Sequence, residues 1–359
     1  MIINVILLVQ FLAQVQVASG PPTQEVTALL ETGVAAEDRG DLDQAIVNFQ
    51  KAVDLAPASP VPLLRLGDAY MRKHDYGAAI RPLKRAAELS PDVVAVHRLL
   101  GYSLLSQGYA SEAIPHLEIA HESGALGIAQ LQADRPAEAI ISLKDALAKT
   151  PDDIDLIYYL SRAGSALSSQ SQDKLLAEFP HTARGHQVLG QSYYAARMFS
   201  EAEKEYELAV TQRPDLPGLH LELGEIYAAT SDWAKAEEQF RAEAKLQPGS
   251  SEAAYRLGSA LLEEGKVKEA TEELRHSDSL RPDMPETLYA LGRTLAVSAP
   301  EAAEVPLGRV IALEKQTPLA GQAYLLLASI HRKQGKTEEA AREVAEYKRI
   351  QNLASKRGE

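Results

Sequence analysis

Residues 185–214 read GHQVLGQSYYAARMFSEAEKEYELAVTQRP, and residues 219–248 read LHLELGEIYAATSDWAKAEEQFRAEAKLQP. Laid over each other at an offset of 34, Gly190 meets Gly224, Ala202 meets Ala236, Tyr206 meets Phe240 and Pro214 meets Pro248. Each stretch holds two amphipathic segments, residues 185–196 and 200–212 in the first. Their apolar residues recur at the spacing of one helix face. The Pro ends the second segment, because it lacks an N–H and disfavours helical geometry in the residue before it.

The same columns run outward in both directions. Gly33, Gly67 and Gly101 stand 34 apart, as do Gly190, Gly224, Gly258 and Gly292. Twelve residues after a Gly comes an Ala (Ala45, Ala79, Ala113, Ala202, Ala236, Ala270). Four further on comes a large residue (Phe49, Leu83, Leu117, Tyr206, Phe240, Leu274). Pro57, Pro91, Pro151, Pro214, Pro248 and Pro282 close their units. Small columns let two helix backbones approach closely. One such hairpin cannot bury its apolar face alone, so the units must stack.

Over residues 26–354 this pattern resembles the tetratricopeptide repeat (TPR) family. Setting aside the first 20 of the 359 residues leaves room for about ten 34-residue units. The resemblance implies an all-α fold, an α-solenoid that winds as a right-handed superhelix of about ten helix-turn-helix units. The expected organisation is a leader over 1–20, regular units one to three over 21–122, degenerate units four and five over 123–182, units six to eight over 183–284, and units nine and ten with a C-terminal cap over 285–359. Unit four is short, since Gly101 to Gly127 spans only 26 residues. Unit five reads as a helix over 154–166, a Ser-rich interruption over 165–171, and a short helix ending at Phe179-Pro180. Unit nine loses a residue near Pro300 and gains some near Gln316-Thr317-Pro318.

The leader, MIINVILLVQFLAQVQVASG, is apolar and ends in small residues, as secretory signal peptides do, although it lacks Lys and Arg. The expected location is periplasmic or secreted, with cytoplasmic as the alternative; the leader reads otherwise as an apolar lead-in helix over the first repeat, or as an uncleaved anchor or mis-assigned start. No later segment is apolar enough to span a membrane.

Composition narrows the function. The absence of cysteine excludes disulfides, a Cys nucleophile, iron–sulfur clusters and Cys-ligated zinc. A net charge of −13 argues against nucleic-acid binding, which needs excess Lys and Arg. No phosphate-loop, dinucleotide, zinc-protease or nucleophile-elbow motif occurs. The expectation is therefore no enzyme, no cofactor and no metal. His97, His186 and His220 share one early column of the first helix, and His331 lies in a core column, so they read as packed side chains.

The family resemblance also implies a concave groove lined by the first helix of each unit, helix A. Two columns, three residues before and one after the Gly position, carry most of it. The candidate set is Arg98, Tyr102, Tyr158, Arg162, Gln187, Gln191, Tyr194, Tyr255, Tyr289 and Arg293. Tyr and Arg are enriched at binding hot spots, and Arg pairs well with carboxylates. The Asn-based clamps of some family members find no counterpart, because Asn4, Asn48 and Asn352 lie outside these columns. The expected function is a non-enzymatic scaffold that binds a partner peptide or helix in the groove. The alternative is a structural or self-assembling subunit of a cell-envelope complex that uses the convex face or array ends.

Overall fold

Every hairpin turn except that of unit nine is made the same way. The last turn of helix A ends on a residue in the left-handed region, such as His74 (φ 62°), Arg197 (φ 58°) or Gly265 (φ 77°). The next N–H then reaches back to the helix, as Asp75 does to Tyr70 O at 2.9 Å and Lys266 to Leu261 O at 2.8 Å. This satisfies carbonyls that the helix end leaves open. In several repeats the residue after the turn caps the second helix, helix B. Asp41 Oδ1 accepts from the Gln44 N–H and Asp75 Oδ1 from the Ala78 N–H, both at 3.0 Å.

The computed structural model describes residues 23–357, which form nineteen α-helices. The leader reading falls on residues 1–20, outside the described residues. The helices pair as α1 (Gln24–Asp38) with α2 (Leu42–Leu55), α3 (Pro60–Arg72) with α4 (Tyr76–Leu89), α5 (Val94–Ser106) with α6 (Ala110–Ile119), and α7 (Ser123–Gln132) with α8 (Pro136–Lys149). A single long helix, α9 (Ile154–Glu178), follows. Then come α10 (Ala183–Ala195) with α11 (Phe199–Gln212), α12 (Leu219–Ala229) with α13 (Trp233–Leu246), and α14 (Ser251–Glu263) with α15 (Val267–Leu280). The last pairs are α16 (Pro285–Ser298) with α17 (Pro300–Glu314), and α18 (Pro318–Lys333) with α19 (Thr337–Arg357). Among the described residues there is no strand, and no helix is long and apolar enough to cross a membrane.

The column residues meet inside each hairpin. A Cβ built on Gly224 would lie 2.6 Å from Phe240 Cε1, and one on Gly127 would lie 2.6 Å from Leu143 Cγ. Only a residue without a side chain lets the large partner settle against helix A. That partner is fully or almost fully buried in every hairpin from Phe49 to Leu307. Gly127 and Leu143 show that the short fourth unit is a complete hairpin. Its missing residues come from trimmed elements: α6 and α7 have 10 residues each, where α4 has 14 and α5 has 13. Unit nine loses its turn, since Ala299 alone (φ −150°) joins α16 to α17.

Unit five differs from its expected form. Residues 154–178 make one unbroken helix with no second helix packed back on it. The Ser-rich stretch does not interrupt it, because Ser side chains bond within the helix: Ser165 Oγ donates to Ser161 O at 3.2 Å and Ser171 Oγ to Leu167 O at 2.8 Å. Phe179-Pro180 then ends the helix.

The chain divides into two compact units, one up to Ser171 and one from Gln172. Within the first, α3 touches α5 and α5 touches α7. Within the second, α12 touches α14, α14 touches α16 and α16 touches α18. Successive B helices make no comparably extensive contact among the described residues. The closer-spaced row lies inside a bend, so helix A lines the inner side of each unit.

Candidate partner-binding face

In the first unit the inner face is organised by acidic side chains. Glu122, at the start of α7, accepts from Tyr102 Oη at 2.9 Å and pairs with Arg98 Nε at 3.2 Å. Burial, followed by this hydrogen bond, pushes the Tyr102 hydroxyl up to about 12. Nearer the N-terminus, buried Glu37 of the first repeat lies 3.5 Å from Arg72 and 3.9 Å from Arg65 of the second. Its carboxyl is raised, first by burial and against the pull of Arg65.

Tyr158 and Arg162 sit one turn apart on α9 and are both exposed. The Tyr158 ring is 55% exposed and meets Tyr159 edge-on at 5.4 Å. Arg162 has no ion-pair partner among the described residues.

In the second unit the corresponding hub is Glu222 on α12. Gln187 Nε2 donates to it at 2.7 Å and Gln191 Nε2 at 2.9 Å. Burial, then the nearby Glu222 carboxylate, raises the Tyr206 hydroxyl above the usual tyrosine range. Gln187 is buried and bonded to Arg184 as well, so it holds the repeat together and is closed to a ligand. Next along the face, Arg256 bridges Glu225 at 2.9 Å and Glu252 at 2.7 Å. Arg293 pairs with Glu263 at 2.9 Å.

The rings of the second unit differ in exposure. Tyr194 is 38% exposed and leans on Phe199 at 5.7 Å. Tyr255 and Tyr289 are half-buried against the cluster that contains Leu288 and Leu291. Burial raises the Tyr289 hydroxyl.

Sequence columns placed these side chains on helix A but missed their acidic partners. Glu122, Glu222 and Glu263 lie outside the two columns, and only stacking brings them within reach. Two candidate arginines, Arg98 and Arg293, are thus already paired within the chain. No cluster of three or more His, Asp or Glu suited to a metal occurs among the described residues.

Family models described as tetratricopeptide repeat match residues 36–101, 221–285 and 307–352. The chain is a multi-repeat tetratricopeptide repeat protein. No curated protein matches this TPR chain. Among solved structures it is similar to the MamA protein, with 19% identity over 48% of this chain and 94% of that one, TM-score 0.45. It is also similar to a chain of the APC/C hetero-tetramer Cut9–Hcn1, with 15% identity over 91% and 87% of the two chains, TM-score 0.43. A third similarity is to yeast Tom70, with 14% identity over 92% and 93%, TM-score 0.40. All three likenesses are loose, and the TPR assignment rests on the repeat columns and the family matches.

Proposed function

We propose that this TPR protein is a non-enzymatic scaffold that holds a segment of a partner protein against the inner, helix-A face of its repeats. The observation that carries the reading is the set of partly exposed rings on that face: Tyr194, Tyr255 and Tyr289 in the second unit and Tyr158 in the first. A Tyr offers apolar area and a polar tip while losing little side-chain freedom. The arginines beside the rings are mostly neutralised by in-chain carboxylates, so ring contacts supply most of the affinity and Arg162 supplies the open charge.

Affinity capture with wild-type protein and with Tyr255→Ala/Tyr289→Ala tests this. A partner held by the first and lost by the second, with unchanged melting of both proteins, supports the inner face. Equal capture by both proteins overturns it. Export to the periplasm or cell exterior belongs to the same proposal. The intact mass of the native protein tests it through the presence or absence of residues 1–19.

A further inference from the structure

Three repeats carry a histidine four residues before the Gly column of helix A, and their imidazoles are held alike. His97 Nδ1 lies 2.8 Å from His116 Nδ1, His186 Nδ1 2.7 Å from Glu205 Oε2, and His220 Nδ1 2.7 Å from Gln239 Oε1. Each partner stands 19 residues further on, on helix B. The other ring nitrogens of His97 and His220 reach the Pro91 and Pro214 carbonyls at 2.7 and 3.2 Å. The ring thus plugs the gap between the Pro that ends one repeat and helix B of the next. Two further repeats carry buried hydrocarbon at the corresponding positions, Leu63 with Pro82 and Leu288 with Pro306.

Repeat eight does neither. Ala254 stands in the histidine column and Glu273 in the helix-B column. The methyl of Ala254 cannot reach across, and a cavity of about 340 Å³ opens, bordered by Pro248, Ser250, Ala254, Leu257, Glu273 and His276. His276 comes in from helix B, its Nε2 3.2 Å from Pro248 O. Glu273 is half-buried and, among the described residues, has no hydrogen-bond or ion-pair partner.

We propose that this cavity is a socket for an imidazole supplied from outside the repeat, as the histidine side chain of a partner segment or as a small imidazole compound. The ring stands between Ala254 and Glu273, where the chain's own imidazole meets helix B in repeats three, six and seven, while His276 already holds the Pro248 carbonyl. One N–H donates to the Glu273 carboxylate, as His186 Nδ1 does to Glu205 in repeat six. Leu257 and the Ala254 methyl supply the apolar wall. The cavity exceeds one five-membered ring, which leaves room for the chain that carries it. The socket does not depend on the inner-face reading above.

The test is a titration of imidazole into the intact protein, followed at the amide resonances of Ser250, Ala254 and Glu273. Saturable shifts with a Kd on the order of millimolar are expected for so small a ligand. Ala254→His fills the socket with its own ring and abolishes them. Glu273→Ala leaves the cavity open but removes the acceptor, and weakens binding about tenfold; it carries the comparison if Ala254→His folds poorly. A Gly-His-Gly peptide run in parallel separates the two sources. Saturation by both probes supports a side-chain socket, and saturation by imidazole alone supports a small-molecule site. Absence of saturable shifts at these amides, or equal shifts in wild type and Ala254→His, overturns the proposal.

Discussion

The Nδ1 atoms of His97 and His116 lie 2.8 Å apart and share one hydrogen. His97 Nε2 faces the Pro91 carbonyl at 2.7 Å, which can only accept, so that nitrogen carries a proton. In the neutral ring His97 Nδ1 is then the acceptor and His116 Nδ1 the donor. A second proton on His97 would set two donors against each other. The His116 pKa is lowered below 6.5, first by burial and then by His97. A base whose folded pKa is depressed contributes stability that is complete above its unfolded value and is lost as pH falls through the folded one. Helices α5 and α6 are therefore expected to have lower amide protection factors, each taken against the intrinsic exchange rate at the same pH, below pH 6.5 than above it. His116→Gln copies the His220–Gln239 pair and should flatten this dependence. An unchanged profile in the variant would show that the histidine pair is not its source.

Ala202 is fully buried in a cluster with Tyr206, Leu223 and Phe240. Ala202→Leu overfills this contact and is expected to cost about 1–3 kcal/mol. A melting temperature equal to that of wild type would contradict the packing.

Gly164 lies inside α9, and an added Cβ would meet nothing within 4 Å. Gly164→Ala therefore gains helix propensity without a clash and should stabilise the helix by about 0.5–1 kcal/mol. Slower hydrogen exchange across residues 160–170 is the readout.

Gly218 adopts φ 92° before α12, and its N–H donates to Glu243 Oε1 at 2.8 Å. Gly218→Ala forces a side chain into the left-handed region and is expected to cost about 1–2 kcal/mol. Chemical denaturation of the paired proteins measures it.

Tyr102, pushed up to about 12 by burial and then by its bond to Glu122, ionises later in the folded chain than in the unfolded one. Its contribution is complete below pH 10.0 and is lost as pH rises toward about 12. Tyr102→Phe should remove this part of the alkaline destabilisation of the first unit, as read by circular dichroism between those two pH values.

The repeat columns were legible because hairpin packing is local. Gly224 and Phe240 are 16 residues apart in one hairpin, and so are Gly127 and Leu143, so a fixed spacing in the chain reports a fixed contact in space. The same regularity made the trimmed fourth unit and the residue lost near Pro300 visible as breaks in period.

The candidate face was legible only in part. Column position put Gln187 on helix A, yet the structure buries it against Glu222, 35 residues on. It put Arg98 and Arg293 on the same face without showing that Glu122 and Glu263 already hold them. The Ser-rich stretch of α9 looked like an interruption, because residue type does not reveal that Ser171 Oγ bonds to Leu167 O inside a continuous helix. Sequence by itself determined the hairpin, its period, its small and large packing partners and the face each residue occupies, since helical periodicity links these directly to residue order. Tertiary structure alone decided which charges are neutralised and which polar side chains are closed to a partner. Those outcomes depend on which side chains of neighbouring repeats reach each other, and periodicity leaves that distance unspecified.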